Sequence, residues 1–451
     1  MDNTIYENTS INKLMIAFGA PSIIALLIEM ATGVIDTIFA GNIAGVGSYA
    51  LSAMALIGPI LALFTSLQTL FAASCGLLVS RYLTDKKYCF HSIIIGIFMS
   101  GVVSISASLI CALNMNFILE TIGAQGEIFT MARVYMEIEV FSNVLSSLGY
   151  TMCCIIRSLG FPKMEMVIVV AAVIVNVAAN ALLCFGLDMG IAGLAWGTFV
   201  SELFCMMWSL FFLFKHGAFR PQKRIPFKNS CKLCADMFKI GFAQTVIQAV
   251  SGCTGFFINA QLLSLGCADN VAAWSIAQRI YMVLLMPIVG LTQGVQTIIA
   301  YFNGQNKQNE TKELFKKTIL SCFVYGLITS IMMIWKGNIV CLAFGGTPAI
   351  LEESRIILVI ICSTFSLVGV FYTNMTLLQV VEHEVASVIL ALLRQVVLII
   401  PLIVLIPYVF ESVGMLPILG LYIVSPFADV IVIILSMMLI RRLKSPTHTL
   451  S

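Results

Sequence analysis

The chain has 451 residues, of which 60% are hydrophobic and only 10% charged, with a mean hydropathy of +1.01 and a formal net charge of +3. A water-soluble domain carries roughly 25% charged residues, so this composition excludes an ordinary solvated surface. The small positive balance follows from where the charges fall along the chain and does not point to nucleic acid as a partner.

The charges sit between long apolar runs, each near the ~20 residues that a helix needs to cross a ~30 Å hydrocarbon core. Twelve such spans are predicted, at about 15–38, 50–79, 91–112, 134–156, 165–185, 190–214, 238–264, 271–301, 319–341, 356–380, 386–409 and 416–440. Uninterrupted apolar runs read as helices, because a barrel strand alternates apolar and polar residues. The segment before the first span holds Asp2 and Glu7 and has no basic leader pattern, so that span is expected to remain uncleaved.

Lysine and arginine set the orientation. With the N-terminus, the even-to-odd loops and the C-terminus on one side, twenty of the 25 basic residues fall there, including Lys13, Arg81, Arg157, the run from Lys215 to Lys239, Lys307 and Arg441 to Lys444. Only Arg133, Lys336 and Arg355 fall opposite, and Arg279 and Arg394 lie within spans. The positive-inside rule then predicts both termini in the cytoplasm.

The longest polar stretch divides the chain into a six-helix lobe at 1–214, a cytoplasmic linker at 215–237 and a second six-helix lobe at 238–451. The halves echo each other: Pro59-Ile60, Leu63 and Gln68-Thr69 recur as Pro287-Ile288, Leu291 and Gln296-Thr297, at a constant offset of 228. Ile35-Asp36 is echoed by Ile258-Asn259 near the end of the first span of each half. An even number of spans per half makes the repeats parallel, an arrangement typical of carriers that bind between lobes and rock. The expected fold is therefore an all-α membrane protein of twelve helices, in two parallel six-helix lobes around a central cleft.

Several short segments, in this order, are similar to the multidrug and toxic compound extrusion family, in its bacterial DinF-like and MepA-like branch. They are Ile35-Asp36-Thr37 with Gly41, the run from Arg157 to Lys163, and Phe185 to Asp188 followed by Gly190 to Gly193. The series continues with Pro287 to Gly304 ending in Ala300-Tyr301-Phe302-Asn303, then Leu393-Arg394-Gln395 with Pro401, and Pro426 to Asp429. The resemblance implies an antiporter driven by H⁺ or Na⁺ that exports organic, often cationic and amphipathic, drugs from the bacterial cytoplasm. It implies small organic substrates, a surrounding lipid bilayer, a monomer, no cofactor and no resident metal.

Ionisable groups inside spans cost roughly 2.5–3.5 kcal/mol on insertion scales, so each invites a functional question. Asp36 matches the span 1 aspartate that several bacterial members use for proton or Na⁺ binding. It also lies near the outer interface, where a hydrated helix-end carboxylate is ordinary. Glu29, seven residues earlier, falls on the same face and roughly 10 Å deeper, so it either lines the same cleft or makes a structural hydrogen bond.

Two family acids are absent: Asn180 stands where a span 5 aspartate is common, and Ser251 where another branch has a span 7 acid. Asn176, Asn180 and Asn259 still offer amide oxygens to a hard cation.

The substrate cleft is expected to draw on Gln68, Asn259, Gln261, Gln278, Gln293, Gln296 and Tyr301; the other role open to the amides is interhelical bonding. Arg394 and Asp429, on neighbouring spans 11 and 12, are expected to pair, either as a clamp or as part of coupling.

Other features read as background. Glu382-His383-Glu384 lacks the spacing of a metalloprotease motif, and Cys231 with Cys234 is a lone CxxC with no second pair to make a zinc site. A flippase for a lipid-linked diphosphate would want several arginines or lysines in the cleft. An intramembrane enzyme would want paired catalytic groups, whereas His91, His216, His383 and His448 all lie at loops or ends.

Overall fold

The computed structural model describes residues 4–7, 9–266, 268–342, 347–381 and 383–443. Glu382 and Lys444 lie outside the described residues, as do the side chains of Ser251, Glu384, Arg441 and Arg442.

Every regular element among the described residues is a helix. In chain order they are α1 (Thr4–Glu7), α2 (Ile11–Gly41), α3 (Gly47–Arg81), α4 (Lys86–Leu113), α5 (Met115–Thr121), α6 (Gly126–Ser158) and α7 (Pro162–Asn180). A π-helical stretch, Ala181–Gly186, follows, then α8 (Gly190–Lys215), α9 (Phe227–Leu265), α10 (Ala268–Gly304) and α11 (Gln308–Leu342). Next come α12 (Pro348–Cys362), α13 (Phe365–Val380), α14 (Glu384–Leu392), a second π stretch at Leu393–Ile399, α15 (Ile400–Ser412) and α16 (Pro417–Leu443).

Among the described residues, ten helical segments are long and apolar enough to cross a membrane, and α12 with α13, bent by 49° at their break, make an eleventh. The remaining expected span, 238–264, falls inside α9, where several side chains lie outside the described residues.

Local chemistry sets the helix ends. The Asp85 carboxylate caps α4 by accepting from the amides of Lys87 at 3.1 Å and Tyr88 at 3.3 Å. These are two of the four amide donors that a helix start leaves unpaired. Thr347 caps α12 in the same way, with Pro348 in the first helical turn, where its missing N–H costs nothing.

Inside the bundle the usual polarity of packing is inverted. Along α4, Ser92, Gly96, Ser100, Ser104 and Ser108 recur every four residues and are buried, while Phe98, Val102, Ile105 and Leu109 are exposed. Lipid tails solvate large apolar side chains as well as a protein core does, so the packed face goes to small residues that let helices approach. Hydroxyls and amides then bond across the seam. The Ser100 and Ser147 hydroxyls lie 2.9 Å apart, and Thr151 donates to Ser100 at 2.8 Å. Asn143 Nδ2 donates to Ser108 Oγ at 2.9 Å.

The chain forms two compact units, Met1–Thr245 with Gln293–Gln308, and Val246–Thr292 with Asn309–Ser451. Helix α10 thus begins in the second unit and ends in the first. The first unit has a core built from Ala50, Ala53, Ile57, Met136, Leu194 and Ala195. In the second, Ala273, Trp274, Ile288, Leu358, Phe365 and Tyr422 do the same.

Candidate functional site

A polar junction in the first unit joins α2, α7 and α8. Asn176 and Asn180 are four residues apart and so share one face of α7. Both are buried, Asn180 completely. Asn180 Nδ2 donates to Asp36 Oδ1 at 2.7 Å and to Asn176 Oδ1 at 3.1 Å. Asn176 Nδ2 reaches Ser201 Oγ on α8 at 3.5 Å. The bond to Asp36 links residues 144 apart in sequence and ties α2 to α7.

The other atom of that carboxamide is the informative one. Asn180 Oδ1 is buried and has no hydrogen-bond partner, an arrangement that costs on the order of 1–3 kcal/mol unless a ligand or a rotation repays it. A half-turn of the carboxamide exchanges donor for acceptor and presents oxygen to Asp36. Directly after Asn180 the backbone widens into the π stretch, a distortion frequent at functional sites.

Helix α8 comes this close only because residue 197 is glycine. A Cβ there would collide with the Asn180 carboxamide and come within 3.0 Å of its backbone nitrogen. Gly197→Ala is therefore expected to destabilise the protein by about 1–3 kcal/mol through overpacking, seen as early melting in detergent. Gly101→Ala, whose Cβ would meet only Leu148 Cδ2 at 3.6 Å, should melt like the parent.

Glu29 is exposed on the same helix as Asp36. Two acids that sequence reasoning passed over share this unit. Glu139 on α6 is half-buried with Oε2 lacking a partner, and Glu202 on α8 is half-buried. Both lie well inside apolar spans, so the test that singled out Glu29 would have found them too. Arg157, grouped by sequence with the loop charges, is instead buried, and its Nη1 donates to Glu165 Oε1 at 2.9 Å.

In the second unit, Arg394 Nε donates to Asp429 Oδ1 at 2.6 Å, the side chains being 16% and 6% exposed. Arg394 belongs to the second π stretch, and its guanidinium carbon lies 5.7 Å from the centre of the Phe371 ring. Its neighbour Gln395 accepts from Thr254 Oγ1 at 2.8 Å.

The remaining amides are scattered. Gln68 Nε2 reaches Asn143 Oδ1 at 3.5 Å, Gln296 is buried, and Gln293 is half-buried, all in the first unit. Asn259 is exposed, and Gln261 and Gln278 are half-buried, in the second. Tyr301 is fully enclosed, with its hydroxyl donating to Glu7 Oε1 at 3.1 Å. Among the described residues, no group of three or more His, Cys, Asp or Glu side chains is arranged to hold a metal ion.

Comparison with known proteins gives a consistent result. One family model, MatE, matches residues 21–182 and again 245–405, the pattern that an internal repeat produces. The multidrug export protein MepA of Staphylococcus saprophyticus is 23% identical over 441 residues, covering 97% of this chain and 95% of that protein. MepA of Staphylococcus aureus (strain bovine RF122) is 25% identical over 396 residues, 87% of each chain.

Among solved structures, an outward-facing multidrug resistance transporter of the MATE family superposes with a TM-score of 0.88 over 98% of this chain and 99% of its own, at 17% identity. A transporter of the MOP superfamily from Pyrococcus furiosus superposes with a TM-score of 0.87 over 97% of both chains, also at 17% identity. At that identity the structural likeness speaks to the fold, and the family match covers well over half the chain. The protein belongs to the MatE family of multidrug export transporters, and is a multi-pass membrane carrier and not an enzyme.

Proposed function

We propose that this protein is an antiporter of the bacterial plasma membrane that admits H⁺ or Na⁺ through Asp36 and exports organic, amphipathic cations by alternating access. The observation that carries the proposal is the Asp36–Asn180–Asn176 chain, with a carboxylate at one end and an unpartnered buried carboxamide oxygen beside it. In the arrangement seen, Asn180 Nδ2 donates to Asp36 Oδ1, a bond that is strongest when Asp36 carries its charge. A proton arriving at Asp36 removes the charge that this bond favours. A sodium ion would instead take oxygens from Asp36 and from a rotated Asn180, donors that suit a hard cation. Either ion competes with a cationic drug for one negative charge, which is what exchange requires. Both termini facing the cytoplasm remains part of this proposal and rests on the distribution of Lys and Arg.

A flippase for an anionic lipid-linked precursor fits less well. Arg157, which is buried, and Arg394, which is half-buried, are each already held by a carboxylate, and Arg279 is exposed.

Expression in a host stripped of its own pumps should raise the inhibitory concentrations of cationic dyes and disinfectants several-fold. Unchanged susceptibility across a broad panel, with the protein shown to be inserted, would remove the exporter reading. Uptake of a fluorescent cation into everted vesicles under separately imposed pH and sodium gradients distinguishes the two ions.

A further inference from the structure

We propose that the hollow between the start of α4 and the loop after α8 binds the phosphate headgroup of an anionic phospholipid, whose acyl chains lie along α4. The site stands within the first unit and does not depend on the exporter reading.

The hollow, of about 620 Å³, is lined by Thr84, Asp85, Lys86 and Lys87 on one side and by Gln222 and Lys223 on the other. That size falls within the range of small-ligand pockets, roughly 300–1,000 Å³. Its two sides are far apart in sequence, and packing brings them together. The loop that carries Lys223 is pinned on either side, where Ala218 and Ile225 are buried. Just beyond it, Asn229 Nδ2 donates to the Tyr88 hydroxyl at 2.7 Å and ties the start of α9 to the start of α4.

The hollow carries unbalanced charge. Among the described residues, none of its three lysines has a carboxylate within ion-pair distance, whereas Lys317 is held by Glu313 and Arg157 by Glu165. The acid that shares the hollow is Asp85, and its Oδ1 already accepts from the amides of Lys87 and Tyr88. Three ammonium groups against one carboxylate leave an excess of positive charge for a phosphate to neutralise. Thr84 Oγ1 accepts from Gln305 Nε2 at 2.7 Å, which leaves its hydroxyl hydrogen to donate to a phosphate oxygen.

The register of α4 says why the phosphate comes with acyl chains. Lys87, Ile94, Phe98, Val102 and Ile105 follow one another at spacings of seven, four, four and three, so they share one face of the helix. The four apolar members are 40–65% exposed, and Lys87 therefore stands at the head of the lipid-facing strip. From Lys87 to Phe98 the helix rises about 16 Å, the depth of one leaflet of a ~30 Å core. On the other flank, Phe227 at the start of α9 is 83% exposed, four residues beyond Lys223. The charge distribution assigns this end of the bundle to the cytoplasm, and anionic lipid gives the cytoplasmic leaflet a negative surface potential that draws basic clusters.

The test uses the full chain purified in a neutral detergent, with phosphatidylglycerol titrated in and bound lipid counted by native mass spectrometry. The parent should retain one phosphatidylglycerol molecule tightly and take up phosphatidylcholine far more weakly. Lys87→Gln and Lys223→Gln should each weaken the tight site about fivefold, the effect of one basic residue at an anionic surface, and the double variant by more than either. Lys163→Gln, which removes the same charge from an exposed position elsewhere on the same side, should bind like the parent. Melting curves without lipid should be unchanged in all four, which keeps loss of binding separate from loss of fold.

Three results overturn the proposal. One is equal retention of phosphatidylcholine. Another is a loss in Lys163→Gln as large as that in Lys87→Gln, which would mean that net charge and not the hollow draws the lipid. The third is full displacement of the lipid by an equal concentration of glycerol phosphate, which would make the hollow a site for soluble anions.

Discussion

Asp36→Asn is expected to abolish coupled export and return a resistant host to the susceptibility of one lacking the protein, with normal amounts of variant in the membrane. The substitution is nearly isosteric. An asparagine at 36 can still accept from Asn180 Nδ2 through its carbonyl oxygen, so the 2.7 Å link between α2 and α7 need not be lost. What disappears is the charge, and with it the competition between ion and drug. A purely structural role predicts the opposite pattern, in which the conservative amide is tolerated. Efflux by the variant equal to that of the parent, across the near-neutral pH range and with or without sodium, would leave Asp36 as no more than a helix-end hydrogen-bonding group. Immunoblots of membranes and a melting curve in detergent separate loss of transport from loss of protein.

The second large effect is expected at Arg394 and Asp429. Their 2.6 Å contact is sheltered from solvent, with Phe371 stacked near the guanidinium. Removing either partner strands a buried charge, a change that costs roughly 3–5 kcal/mol in soluble proteins, whereas exchanging both for apolar residues is often tolerated. Arg394→Leu and Asp429→Leu should each express poorly or melt early, and the double variant should recover much of the loss. Strictly additive effects would mean that the two side chains do not act as a pair. The π stretch containing Arg394 adds a second question, because such distortions gather at functional sites. A double variant that is stable but transports nothing would show that the pair also takes part in the cycle.

Much of this molecule is legible before folding, for reasons tied to the bilayer. Its thickness demands apolar runs of a set length, so the spans and the six-by-two repeat show in the sequence. The Pro59 and Pro287 echo falls inside α3 and α10, as the repeat requires. The cost of a charge in lipid made Asp36, Arg394 and Asp429 conspicuous, and the same cost dictated that the last two should meet. Glu139 and Glu202 were equally visible and were overlooked, although the rule that picked Glu29 applied to them. Arg157 misled because a charge at the end of an apolar run reads as a loop residue, and only its contact with Glu165 shows that it is buried.

What the sequence could not supply is the rotation of each helix about its own axis. A soluble helix announces its buried face by an apolar stripe, but a helix solvated by lipid is apolar nearly all round, and its packed face is marked only by small residues such as the Ser92 to Ser108 series. Composition and span lengths therefore determined the class of this protein, and the order of its short motifs pointed to the family that the MatE match shows. Contacts across the chain were decided by tertiary packing alone: Asn180 with Asp36, Gly197 beneath Asn180, and Tyr6 between Ser158 and Tyr301. Each depends on which side of a helix faces its neighbour, and in lipid that is settled by the fit of glycines, serines and amides against one another, which local sequence does not encode.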